Sequence, residues 1–315
     1  MYTSYSSTPA LPCAAQDAAV VRRFPIGEDA DMLKHPVFPQ LTLHSDGELS
    51  QLLGVNVEER ETIHAWPLSC VQSVRLKDGT RLAYKAQLPP TVEPEFYTAA
   101  SSPLLPRHRL LDDMAETRPM VIDWIDAPSL GAAVSPDREE FVEHGREVVS
   151  RIGHIRGDLP VHLSIGSVDA WFTVVEDVLD QWDTLVLGDR FSHTGRAGIL
   201  PVRAWAASAP VLSAVTDGPR VIHGDLKSDQ IFVTTDGYRV IDWQRPVVAP
   251  PEVDLVSLLV AAGLDPRRHV SDAVVEIFWF LRLHWAVEAQ HTLFPTTDVS
   301  LFDRWAAESV ANILQ

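Results

Sequence analysis

The stretch Val221–Val233, VIHGDLKSDQIFV, decides how the rest of the chain is read. An apolar run opens it and another closes it. Between them a histidine, two aspartates and a lysine occupy alternate positions. Groups this polar, set between segments that bury themselves, need more explanation than a turn alone. The next residues supply part of it. QIFVTT and YRVIDW are short apolar strands around Asp236-Gly237, a favoured tight-turn dipeptide. The quoted stretch is therefore a polar loop feeding a β-hairpin. Asp225 precedes the first strand and Asp242 ends the second. Closing the hairpin brings its two ends together, so both carboxylates are expected in one cleft, with Gln230 at the start of the first strand pointing into it. Oxygen ligands of this kind suit Mg²⁺, which takes a few carboxylates together with substrate phosphates. The remaining carboxylate can act as a base or orient a hydroxyl. Lys227 offers a point charge for a transferring phosphoryl group. Any one of these aspartates is explained as a turn residue; their joint spacing is not.

Upstream, CVQSVRL and RLAYKAQ alternate around Lys77-Asp78-Gly79-Thr80 and read as a second hairpin. Ala83, Lys85 and Gln87 share one face of its second strand, and Leu82, Tyr84 and Ala86 share the other. A proline-rich turn and a short helical segment with Glu93 and Glu95 follow. RPMVIDWIDAPSL is a further apolar strand running into a Pro/Ser/Gly stretch, and the boundary between two lobes is placed there. Beyond it helical periodicity dominates. Phe141, Gly145, Val148, Val149, Ile152 and Ile155 fall at helical spacing, as do Trp171, Val175, Val178, Leu179 and Trp182 after a Ser167 cap. The expected organisation is a loose extension over 1–30, a β-rich lobe over 31–127 and a mainly helical lobe over 128–315 carrying the catalytic loop.

A chain of 315 residues is long for one core, which agrees with two lobes. A net charge of -17 argues against a nucleic-acid partner, since phosphate contacts need clustered Lys and Arg. No run approaches the roughly 18 apolar residues of a membrane span, and the N-terminus lacks the basic and apolar regions of a signal peptide. Two cysteines, Cys13 and Cys70, make neither a disulfide framework nor a metal site, so a cytoplasmic location is the default. The helix after Ser167 is acidic without a basic residue. It reads either as a solvated face or as an electronegative wall for a cationic ligand. The oligomeric state is not legible.

At the quoted stretch the chain resembles the protein-kinase-like superfamily, and within it the aminoglycoside phosphotransferase and small-molecule kinase group. HGDLKSDQ is similar to that group's His-Gly-Asp-x-x-x-x-Asn catalytic loop. VIDWQ is similar to the Ile-Asp-Trp used where protein kinases have Asp-Phe-Gly. The resemblance implies an α+β, two-lobed kinase-like fold. It implies γ-phosphoryl transfer from ATP or GTP, with Mg²⁺, to a hydroxyl of a small acceptor such as an aminoglycoside. Asp225 would be the base or orienting group and Lys227 a phosphate contact. Asp242 and Gln230 would hold Mg²⁺, with Gln230 standing where the family has asparagine. Lys85 would meet the α/β-phosphates, paired with Glu93 or Glu95. Asp123, Trp124 and Ile125 would form the hinge that binds the base. His223 and Asp254 would buttress the loop. No glycine-rich loop precedes Lys85. That absence, with Gln230, motivates the alternative of a pseudokinase-like nucleotide-binding or scaffold protein.

Overall fold

The structure is a computed structural model. It describes residues 33–35, 40–112, 114, 116–296 and 298–315; the extension expected over 1–30, and Cys13 within it, lie outside them. From the N-terminal side the elements are β1 (Leu33–Lys34), β2 (Thr42–Leu43), α1 (Asp46–Leu53), β3 (Val57–Trp66), β4 (Ser69–Leu76), β5 (Arg81–Gln87), α2 (Glu93–Ala99), β6 (His108–Leu110) and β7 (Arg118–Asp123). Then come α3 (Leu130–Ala133), α4 (Glu139–Ile152), β8 (Leu163–Ser164), α5 (Val168–Leu187), α6 (Ile199–Ala206), α7 (Ala209–Thr216), β9 (Arg220–Ile222), β10 (Ile231–Thr234) and β11 (Gly237–Val240). The last are β12 (Val247–Ala249), α8 (Glu252–Ala261), α9 (Asp272–Glu288) and α10 (Ser300–Ile313).

Two compact units divide the chain. One runs to Ser129 and adds Ile231–Gln244; the other comprises Leu130–Gln230 and Arg245–Gln315. The β10–β11 hairpin therefore groups by contact with the strand-rich unit, although it lies far along the chain among helices.

The strand-rich unit is built on a five-stranded antiparallel sheet in the order β3-β4-β5-β7-β6. The alternation seen in the sequence places Leu82, Tyr84 and Ala86 in a core with Leu41, Leu49, Cys70 and Val74. Burial pushes the Cys70 thiol up to about 11, so it stays protonated and inert. Helix α1 was not foreseen, yet its start is written locally. Ser45 accepts from Glu48 N while Glu48 reaches back to Ser45 N, a capping box.

The helical unit packs α9 against α5, α7, α8 and α10. Its core centres on Trp171, Trp182 and Phe280, all fully buried. Trp171 meets Phe280 edge-on at 4.7 Å and donates from Nε1 to Ala206 O. Helices α4 and α8 approach closely because Gly145 lacks a side chain; a Cβ there would stand 2.7 Å from Leu258. The Ser167 cap forms as expected, accepting from Ala170 N. The apolar segment LPVRAWAASAPVLSAV forms two helices, α6 and α7. Pro210 sits in the first turn of α7 and has no N–H to continue α6. Among the described residues no single helix is long and apolar enough to cross a membrane.

Candidate functional site

The residues singled out by sequence fall into two sets, one in each unit. In the strand-rich unit, Lys85 lies on β5 between Val71 of β4 and Met120 of β7. It is almost fully buried. Its ammonium is 2.5 Å from Glu93 Oε2 and 2.5 Å from Asp242 Oδ1. Burial works to lower its pKa, but the two carboxylates outweigh this and raise it, so the ammonium stays charged. The few residues between Lys85 and Glu93 suffice for this pair. A turn in which Thr91 N donates to Leu88 O folds α2 straight back over β5. Glu95, the other candidate, points elsewhere and pairs with Arg118.

Asp242 follows the hairpin, which forms as expected but in the register Ile231↔Val240 to Thr234↔Gly237, so that Thr235-Asp236 rather than Asp236-Gly237 makes the turn and the second strand ends at Val240, before Asp242. At φ 74° it is one of only two non-glycine residues with positive φ among those described. Such a conformation costs about 1–2 kcal/mol and gathers at functional sites. Its neighbour pins it there. Trp243 stacks on Phe96 with centroids 4.4 Å apart, and Trp243 N donates to Glu93 Oε1. One Asp242 oxygen meets Lys85, and its side chain is 35% exposed.

In the expected hinge, Asp123 N donates to Arg107 O and Trp124 N to Arg81 O. The Arg81 guanidinium lies over the Trp124 ring at 4.1 Å. Two of the three amides are thus committed to protein partners.

In the helical unit, the loop after β9 is anchored from beneath. Asp254, in the first turn of α8, is fully buried. It accepts from His223 N at 2.7 Å and from Gly224 N at 2.9 Å. Burial pushes its carboxyl up. Gly224 has φ 88°, and a Cβ there would stand 2.5 Å from Arg245 O, so only glycine fits. Asp225 and Lys227 project from this anchored loop, half exposed, with Lys227 Nζ 2.8 Å from Asp225 Oδ2. Gln230 is nearly buried and its Oε1 accepts from Lys227 N at 2.8 Å. The extra methylene relative to asparagine lets the amide fold back on its own loop.

Asp242 in the strand-rich unit and Gln230 in the helical unit each carry oxygen atoms of the hard kind that Mg²⁺ prefers. The Gln230 carbonyl has a second lone pair beyond the one given to Lys227 N. Among the described residues no group of three or more His, Cys, Asp or Glu is arranged to hold a metal. The acidic face of α5 is largely answered by cations. Glu176 pairs with Arg203 at 2.7 Å and Asp183 with Arg196 at 2.5 Å. It does not form an unopposed negative wall.

Comparisons with known proteins bear on the fold and on part of the helical unit. Residues 171–287 match the phosphotransferase enzyme family, APH. No curated protein matches the chain in sequence. A solved thermostable mutant of aminoglycoside phosphotransferase APH(4)-Ia, in ternary complex with ADP and hygromycin B, aligns with a TM-score of 0.59 at 12% identity, over 85% of this chain and 98% of that one. A choline/ethanolamine kinase family protein from Mesorhizobium loti aligns with a TM-score of 0.57 at 17% identity, over 82% and 89%. Macrolide 2'-phosphotransferase type I aligns with a TM-score of 0.50 at 17% identity, over 85% and 95%. At these identities the structural likeness is one of fold. Residues 171–287 are thus similar to the phosphotransferase family, and the fold is similar to that of aminoglycoside phosphotransferases and related small-molecule kinases.

Proposed function

We propose that this protein transfers the γ-phosphoryl group of ATP to a hydroxyl of a small acceptor. The observation that carries the reading is the buried Lys85–Glu93–Asp242 cluster, with both carboxylates 2.5 Å from one ammonium. A structural role alone gives no return for burying Lys85 and Glu93 in the interior, where desolvation costs several kcal/mol per ion. In this reading Glu93 holds Lys85 ready for the α/β-phosphates, and the Ile125 region of the hinge takes the base. Asp242, with Gln230, holds Mg²⁺. The ion, when bound, neutralises charge on the β- and γ-phosphate oxygens. Asp225 accepts the proton of the acceptor hydroxyl or orients it, while Lys227 keeps a positive charge beside the reacting oxygens. ATP is chosen because neighbouring structures were solved with ADP and AMP-PNP. Neighbours named for aminoglycoside, choline/ethanolamine and macrolide chemistry frame the acceptor class without selecting one member.

One observation favours a second reading, nucleotide binding without transfer. Gln230 Oε1 faces its own loop at Lys227 N, which weakens it as a metal ligand. A coupled ATP assay with Mg²⁺ over aminoglycosides, amino alcohols, macrolides and sugars separates the two, with Asp225→Asn as blank. Turnover that disappears in the variant supports transfer. Mg-dependent stabilisation by ATP with no turnover on any acceptor, and no basal hydrolysis, supports the second reading.

A further inference from the structure

Arg245 follows the hairpin directly, and no sequence motif marks it. Its guanidinium carbon lies 3.5 Å from the centroid of the Trp285 ring. Nη1 is 3.1 Å from Glu288 Oε2, and the same oxygen meets His162 Nε2 at 3.3 Å. Burial works to raise the Glu288 carboxyl, but the bond to His162 and the charge of Arg245 outweigh it and hold it at about 2, so the anion persists at neutral pH. His284 stands edge-on to His162 at 6.3 Å, and burial lowers it to about 4, which leaves it neutral. Arg245 and Glu288 thus face each other as opposite charges in the cluster.

The backbone of Arg245 is as constrained as its side chain. Its carbonyl presses on Gly224 so closely that a Cβ there would stand 2.5 Å away. Pro246 O accepts from His162 N at 2.8 Å. Val247 then enters β12 opposite Ile222 of β9, the residue before the catalytic loop. Asp225, next to Gly224, is near enough for its charge to act on the guanidinium. A flat guanidinium can stack on a ring and fork to a carboxylate at once; a lysine cannot.

We propose that Arg245 is a positioning residue for the catalytic loop: held on Trp285 and Glu288 of α9, it fixes the segment against which Gly224 packs and thereby sets where Asp225 stands. The catalytic role of Asp225 in this statement rests on the function proposed above. The position of the loop does not.

The test uses the full chain with Arg245→Met, which keeps an unbranched side chain of similar reach and removes the charged group that stacks on Trp285 and meets Glu288. Amide hydrogen exchange over residues 222–227 is expected to lose protection, while α4 and α5 keep theirs. Basal Mg·ATP hydrolysis without acceptor is expected to fall on the order of 100-fold in kcat, the loss a misplacement near 1 Å carries, with KM for ATP unchanged. Adding Glu288→Leu replaces the ion pair by apolar groups, an exchange that proteins tolerate in stability. That double variant is expected to recover the Tm but not kcat. Unchanged exchange at 222–227 in the single variant would overturn the proposal. So would recovery of kcat together with Tm in the double variant, because then the pair contributes stability alone. A wild-type chain that never hydrolyses ATP would sink the function reading instead, and the exchange result would still decide the role of Arg245.

Discussion

Asp254→Asn isolates how the catalytic loop is held. The carboxylate is fully buried and accepts two backbone amides, His223 N at 2.7 Å and Gly224 N at 2.9 Å. Hydrogen bonds to a charged acceptor contribute about 1.5–3 kcal/mol each, and a buried donor left unmatched costs about 1–3 kcal/mol. Asparagine has the same shape but only one acceptor oxygen. One amide keeps its partner; the other faces an NH₂ group and loses its bond. Removing a charge that burial already disfavours returns part of that loss. The net is a destabilisation of about 2–3 kcal/mol, or roughly 4–12 °C in Tm at about 2–4 °C per kcal/mol for a domain of this size. Thermal unfolding followed by circular dichroism reads the first quantity, and Mg·ATP turnover reads the second. Because the released amides flank Asp225, turnover should fall further than the folded fraction does. A Tm within about 2 °C of wild type, with full turnover, would refute the claim that Asp254 anchors the loop.

Asp225→Asn should lower turnover by orders of magnitude while nucleotide affinity, measured by calorimetry, stays near wild type; full activity would remove Asp225 from the chemistry. Lys85→Met leaves Glu93 buried without its cation and should cost about 3–5 kcal/mol, part of which Glu93→Gln in the same chain should restore, as read by denaturant unfolding. Gly224→Ala forces a side chain into φ 88° and against Arg245 O; the left-handed conformation alone costs about 1–2 kcal/mol, so a clear drop in Tm and loss of turnover are expected. Asp303 has its side chain 2% exposed and binds the 192–194 loop through His193 and Thr194; these bonds outweigh burial and hold it at about 2. Its depressed value means that its contribution, about 2 kcal/mol at 1.36 kcal/mol per unit, is present above pH 4 and lost as pH falls toward 2. The Tm gap between wild type and Asp303→Asn should therefore close on acidification, and a gap independent of pH would contradict this.

The sequence by itself determined the local elements and the kind of chemistry. Apolar alternation around Asp78-Gly79 and Asp236-Gly237 specified both hairpins, because a period of two can bury only one face of a strand. Helical spacing from Phe141 to Ile152 and from Trp171 to Trp182 specified α4 and α5 for the corresponding reason. The density of polar groups in Val221–Val233, with Asp225 and Asp242 bracketing the hairpin that follows, pointed to phosphoryl chemistry.

Contacts between residues far apart in sequence were decided only by the tertiary structure. Spacing left Glu93 and Glu95 equivalent. The return of α2 over β5 placed Glu93 on Lys85 and turned Glu95 to Arg118. Composition made α5 an acidic stripe, and Arg196 and Arg203, beyond its C-terminus, were found to neutralise much of it. Gln230 matched a ligand position by type, while its fold-back onto Lys227 N depended on a rotamer that no pattern encodes. Arg245 carried no signal at all, since its partners Trp285 and Glu288 lie on a helix some forty positions later. Periodicity reports which face of a segment is buried. It does not report what that face is buried against, and in this protein the charged groups of the site are defined by those partners.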